Sequence, residues 1–111
     1  MVELKGSEKQ IKWANDLRIK MNEEADVWIS AIKETHFVQE STQQKALAQI
    51  QAVKNYINGI ENSGDIIKEF KDFITSDFDR SSNMSALVRK VNGTCSIGRA
   101  ESIFSSKVFG N

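Results

Sequence analysis

The sequence predicts an all-α fold: one domain over residues 1–111, a small bundle of about five helices, the first two long and antiparallel. Three observations predict it. The 111 residues include no Pro, so nothing in the chain removes a helical N–H donor or forces a kink. Apolar residues recur at spacings of three and four along most of its length. No alternating segment long enough to build a strand appears beside them.

Ser7 followed by Gln10 opens the first helix as a capping box, the hydroxyl accepting from the Gln10 N–H and the amide reaching back to the Ser7 N–H. Ile11, Ala14, Leu17, Met21, Ala25, Trp28 and Ile32 then fall on one stripe, predicting a helix over 8–38. Its end is open to adjustment, because Thr35, His36, Phe37 and Val38 are poor helix formers. Ser41 with Gln44 repeats the capping pattern, and Leu47, Ile50, Val53, Ile57 and Ile60 carry a second helix over 42–62. Asn62-Ser63-Gly64 reads as a stop, with Gly64 in the left-handed conformation and Asp65 as the next cap. Ile66, Ile67, Phe70, Phe73 and Ile74 predict a short buried wedge over 66–75, and the polar run 75–83 reads as a loop. Ser82 is the expected cap of a fourth helix, with Met84, Leu87, Val88 and Val91 inward and Asn92-Gly93 as its end. A fifth begins at Thr94 or Ser96 and carries Ile97, Ala100, Ile103, Phe104 and Val108. No internal repeat or low-complexity linker interrupts the series.

Composition narrows the chemistry. A hydrophobic fraction of 40% and a charged fraction of 27% are ordinary for a folded domain, and a chain of this length buries about two-thirds of its extended surface around one core. With one Cys, Cys95, and one His, no internal disulfide and no conventional structural zinc site can be assembled, and no cofactor or metal is expected. The opening MVELKGSEKQ mixes charges of both signs and lacks an apolar run, and no stretch approaches a membrane span, so the expectation is a cytoplasmic protein without membrane contact. In that setting the glycosylation sequons at Asn83 and Asn92 are chance matches. A net charge of zero argues against a general nucleic-acid coat. The charge is unevenly spread: residues 61–79 hold six acids and two bases, whereas 80–111 hold Arg80, Arg89, Lys90, Arg99 and Lys107 against Glu101.

Several residues raise functional readings. Trp13 lies beside the Ile11–Ala14 stripe and within a turn of Leu17, which suits a core-edge aromatic; Lys9, Lys12 and Asp16 around it suit a contact with a protein partner. Trp28 belongs to the main stripe and is expected in the core. His36 has Glu34 and Glu40 nearby but neither a ligand set nor a nucleophile to serve. Cys95, near an expected helix start, would be activated there, yet without a second Cys a small packing residue is the simpler reading. Asp77-Phe-Asp79-Arg-Ser81 begins like an EF-hand loop, but Ser82 stands where Gly is needed and Val88 where the terminal Glu should be. Glu23-Glu24 and Asp72 with Asp77 lack the companions of a paired-carboxylate site, so no catalytic residue is assigned and no enzyme is expected. The stretch RKVNGTCSIGRAES, with Arg89, Lys90, Arg99 and nearby Lys107, could meet phosphate or form a basic face turned toward the acidic block.

The run GSEKQIKWANDLR, residues 6–18, resembles the GSEKQI-x-WA-x-x-[IL]-R opening of small proteins encoded by phages and mobile elements of Gram-positive bacteria, whose function is unassigned. It also resembles, more distantly, short helical modules appended to phage and bacterial DNA-processing proteins. The aromatic WID-x-R-like segment that ends longer members is missing here, and the resemblance implies a mobile-element origin without supplying an activity. Two functional expectations follow. The first is a small non-enzymatic protein that binds a protein partner, such as a host or defence enzyme that it inhibits, through Lys9, Lys12 and Trp13. The alternative is a DNA-processing accessory factor contacting nucleic acid through Arg89, Lys90, Arg99 and Lys107.

Overall fold

Ser7 and Gln10 make both bonds of the expected capping box, Gln10 N–H to Ser7 Oγ at 3.3 Å and Ser7 N–H to Gln10 Oε1 at 3.2 Å. From that cap α1 runs over Glu8–Glu34. The computed structural model describes residues 2–74 and 79–110, and its further helices are α2 (Glu40–Gly59), α3 (Ser63–Phe70), α4 (Arg80–Asn92) and α5 (Glu101–Phe109), the last entered through a 3-10 turn at Gly98–Ala100. The described residues form no strand; an isolated parallel bridge joins Lys5 to Asn62. No described helix is long and apolar enough to cross a membrane.

α1 stops four residues short of the expected end. Thr35 turns to extended backbone, and its hydroxyl donates to the Ala31 carbonyl at 2.7 Å. α2 starts earlier than its expected Ser41 cap, at Glu40, with no side-chain cap at Gln39. The turn is held instead by Gln43, which donates to the Ile32 carbonyl at 3.0 Å and so satisfies the end of α1 from within α2. Asn22 with Asn58 (2.8 and 3.1 Å) and Asp26 with Lys54 (2.6 Å) continue the ladder. Residue numbers rise on one helix as they fall on the other, so α1 and α2 are antiparallel.

The junction after α2 departs from the expected stop at Asn62–Gly64. Residues 60–62 are drawn out to meet the N-terminal segment: Lys5 N–H donates to the Glu61 carbonyl at 2.7 Å, Ser63 N–H to the Lys5 carbonyl at 2.9 Å and Val2 N–H to the Asn58 carbonyl at 3.1 Å. Asn62, rather than Asp65, then caps α3 by accepting from the Asp65 N–H at 3.2 Å, and Gly64 lies inside the helix. Gly6 permits this closeness: its φ is +146°, and a Cβ there would stand 3.2 Å from Ser63 Cβ. Residues 75–78, including Asp77 of the calcium-like run, lie outside the described residues.

α4 begins at Arg80 instead of after Ser82 because Arg80 is bound to Glu24 of α1, and Asn83 fixes its first turn by donating to the Phe73 carbonyl at 2.9 Å. It ends as expected at Asn92-Gly93, with Gly93 left-handed at φ 83°. Thr94 and Ser96 do not start a helix. Gln49 of α2, buried, takes them both: its amide donates to Thr94 Oγ1 at 3.1 Å and accepts from the Ser96 N–H at 2.7 Å, while Asn92 donates to the Gln49 carbonyl at 3.1 Å.

The core is one cluster drawn from all five helices, in which Trp28, Phe70, Phe104, Met21, Ile32, Ile50, Ile57, Ile66, Met84 and Ile97 are fully buried. Trp28 and Phe104 stack at 4.1 Å and 12°. The Arg80 guanidinium lies over the Phe104 ring, 5.8 Å from its centroid, and forks onto Glu24, at 2.8 Å from Nε and 2.5 Å from Nη2. The pair is desolvated, with side chains 18% and 1% exposed.

Candidate protein-binding face

Trp13 is a surface residue, 50% exposed, so its core-edge reading is corrected. Helical geometry explains the placement. Ala14, Arg18, Met21, Ala25, Trp28 and Ile32 are buried and define the inward side of α1, whereas Trp13 stands about 100° away from Ala14. It heads a ridge that continues through Leu17, Lys20 and Glu24 at spacings of four, three and four. The ridge has three fates. Glu24 is covered by Arg80, Leu17 is half-covered beside α3, and Trp13 is open.

α3 runs alongside this part of α1 in the same direction, since Ser63 meets Gly6 at one end and Phe70 shares a notch with Leu17 and Met21 at the other. That notch has a volume of about 90 Å³ and is lined by Leu17, Lys20, Met21, Phe70, Lys71 and Ile74. Trp13 lies one turn of α1 before it, next to Leu17 on the ridge.

Lys9 and Lys12 are exposed one turn and one residue before Trp13, and Lys20 and Lys71 are exposed at the notch. The ion pairs among the described residues are Lys5–Glu61, Lys54–Asp26, Arg80–Glu24, Lys90–Glu69 and Lys107–Glu34, and none draws on these four lysines. Carboxylates share this surface: Asp16 lies one turn beyond Lys12 and one turn before Lys20, Glu8 one turn before Lys12, Glu23 one turn beyond Lys20, and Asp72 follows Lys71, all exposed. The face therefore combines an open indole, a small apolar recess and exposed charges of both signs.

The C-terminal basic residues are disposed differently. Lys90 is clamped across three helices, to Glu69 of α3 at 2.7 Å and to the Tyr56 hydroxyl of α2 at 3.0 Å, and Tyr56 itself donates to Glu69 at 2.6 Å. The Glu69 carboxylate holds the Lys90 ammonium charged to unusually high pH, and burial, reinforced by that carboxylate, pushes the Tyr56 phenol above its ordinary value. Lys107 reaches the end of α1 and pairs with Glu34, whose carboxyl is lowered by that hydrogen bond. Lys90 sits at the level of Asn22 to Asp26, through the pairing of α2 with α1, so Lys107 at Glu34 lies about 15 Å further along α1. Arg89 and Arg99 are exposed. The four are not gathered into one patch.

Cys95 is half-buried against the core, in the irregular stretch before the 3-10 turn rather than at a helix start. His36 is exposed just beyond α1. Among the described residues no three His, Cys, Asp or Glu side chains come together as a metal would require. Sequence reasoning placed Leu17 within a turn of Trp13 but missed Lys20, Lys71 and Ile74 as its companions. The ridge spacing from Trp13 was the available signal for Lys20, while nothing local announces that α3 brings the others. No protein-family model matches the chain, and no curated protein or solved structure does so either, leaving the chemistry of the face to be read from its own residues.

Proposed function

We propose that the chain is a small non-enzymatic interaction protein that binds a protein partner through the α1 face bearing Lys9, Lys12 and Trp13. One observation carries the reading: Trp13 stands half-exposed among lysines that no carboxylate of the described residues engages. Trp is among the residues most enriched in interface hot spots, and an indole in the open becomes productive when a partner covers it. The Tyr56–Glu69–Lys90 cluster supports a non-enzymatic reading, because its phenol and ammonium are both held protonated and neither is poised as a base or nucleophile. The resemblance of residues 6–18 to phage and mobile-element proteins supports that origin and a partner such as a host or defence enzyme restrained by binding.

The alternative, a DNA-processing accessory factor, draws on Arg89, Lys90, Arg99 and Lys107, of which two are already neutralised within the fold. Arg89 and Arg99 alone would support a log–log salt slope of about −2.

A photo-crosslinking residue in place of Lys12, with a second variant carrying it at Arg89, separates the readings in a nuclease-treated extract of a Gram-positive host. The expected result is a discrete protein adduct from position 12, competed by the unmodified chain and lost with Trp13→Ala. Crosslinks confined to nucleic acid from position 89, in untreated extract, would overturn the proposal.

A further inference from the structure

We infer that the slot filled by residues 2–5 is also a receptor for an extended segment of a protein partner, one with a carboxylate in the register of Val2 and a leucine in that of Leu4. Arg18, which meets this segment, stands about 140° around α1 from Trp13. The slot is therefore a second surface, and the inference does not rest on the Trp13 face.

Residues 2–5 lie in the slot as a strand would. Burial alternates along them, with Val2 half-buried, Glu3 exposed, Leu4 in the core and Lys5 exposed, so Val2 and Leu4 share the inward side. Lys5 bonds through its N–H to the Glu61 carbonyl and through its carbonyl to the Ser63 N–H, as a parallel bridge, and the Val2 N–H bonds to the Asn58 carbonyl. Any extended chain can make these backbone bonds. Which chain is preferred depends on the side chains it brings.

What residues 2–5 leave unmet points to the preferred occupant. Arg18 is 5% exposed and donates from Nη1 to the Val2 carbonyl at 2.9 Å, but its Nε is buried without an acceptor. Among the described residues it has no carboxylate partner. A single carbonyl is a weak counterpart for a buried guanidinium, whose fork matches a carboxylate. Val2 brings only hydrocarbon to that place. Ser63 Oγ is likewise buried without a partner, beside Gly6 at the other end of the same segment. Elsewhere buried polar groups are met: Glu24 takes both arms of Arg80, and Gln49 binds Thr94 and Ser96. The segment is thus an incomplete match for its own slot.

Exchange of occupants leaves the helices in place. Gly6 joins the segment to α1 and, as a glycine, has other backbone conformations to adopt when the segment lifts. The Ser7–Gln10 box follows it and keeps the start of α1 capped. The displaced segment competes from within the chain at an effective concentration on the order of millimolar. An incoming segment overcomes that competition through the carboxylate it gives to Arg18.

The test uses the full chain and follows amide shifts and amide hydrogen exchange. Val2→Asp supplies the carboxylate from within, so exchange at the Lys5 and Ser63 N–H groups should slow tenfold or more relative to Val2→Asn. Arg18→Met should erase that difference, with an unchanged helical spectrum showing that the fold is intact. A capped peptide containing Asp-Glu-Leu-Lys, at millimolar concentration, should move the signals of residues 18, 58 and 60–63 in the parent chain and equally in Trp13→Ala. Twins with Asn for Asp or Ser for Leu should bind at least tenfold more weakly, and Val2→Asp should weaken the parent peptide as much by strengthening its competitor. Equal exchange in Val2→Asp and Val2→Asn overturns the inference. So does equal binding of the Asn twin, no binding of the acidic peptide, or a dimer formed by swapping residues 2–5 between copies that the peptide does not dissociate.

Discussion

Replacing Arg80 by Met should unfold far more of this protein's stability than a surface substitution would. Glu24 is 1% exposed in its side chain, and both its oxygens are occupied by the Arg80 fork at 2.8 and 2.5 Å. Removing the guanidinium leaves a buried carboxylate without a counter-ion, a change that costs about 3–5 kcal/mol, against ~0–1 kcal/mol for an exposed pair. The whole domain is held by about 5–15 kcal/mol, so the melting midpoint should fall by roughly 10 °C or more. The double variant Glu24→Leu with Arg80→Met removes both charges and keeps apolar bulk over Phe104. It should return to within about 1 kcal/mol of the parent or exceed it, because the desolvation cost disappears with the pair. Urea and thermal unfolding of the parent, the two single variants and the double variant, followed by circular dichroism, close the cycle. If Arg80→Met loses no more than about 1 kcal/mol, or if the two single losses simply add in the double variant, the pair is not the buried clamp described above.

Three further outcomes are expected. Ser7→Ala should cost about 1 kcal/mol in urea unfolding through loss of the α1 cap, with the competed protein adduct from position 12 unchanged. Trp28→Ala or Phe104→Ala should cost about 3–5 kcal/mol, whereas Trp28→Phe, which gives up an indole N–H without a hydrogen-bond partner, should cost clearly less. Tyr56 is the single tyrosine, so the ultraviolet absorbance of tyrosinate reports it alone and should titrate above the ordinary value of 10.0. Glu69→Gln should bring it down and Lys90→Met should push it higher. Both the phenol and the Lys90 ammonium are raised, so their stabilisation is complete below about pH 10 and fades as pH climbs through the folded values. A flat stability profile from neutral pH to pH 11 would refute that linkage.

Helix existence was legible in the sequence because it is written in periodicity: Ala14, Met21, Ala25, Trp28 and Ile32 of the first stripe and Ile50, Val53 and Ile57 of the second are buried as spaced, with Ile11, Leu17, Leu47 and Ile60 partly buried against them. The Ser7 cap and the Gly93 stop were legible because both are local devices. Boundaries failed where a distant group outbid the local one. Ser41 is not the cap because Gln43 holds the turn, Asp65 is not the cap because the segment around Lys5 draws residues 60–62 into extension, and Ser96 starts no helix because Gln49 takes its N–H. The same cause hid Glu24 and Arg18, buried charges on the α1 stripe that a hydrophobic pattern scores as solvent-facing. For the candidate site, Trp13 and its two lysines were visible as a cluster on one helix, but the notch depends on which side of α1 receives α3, and that is a property of packing.

The stack of Trp28 on Phe104 has a consequence for the order of assembly. α1 and α2 are neighbours along the chain and can pair early, through contacts of short loop length. The ring that stacks on Trp28, however, belongs to α5, so a hairpin of α1 and α2 alone leaves that face of the indole without Phe104. Completing the stack is a long-range closure that the hairpin cannot supply by itself. A nascent chain paused before α5 should leave that face of Trp28 open, and the change in Trp28 emission in a Trp13→Phe background would report when the stack forms.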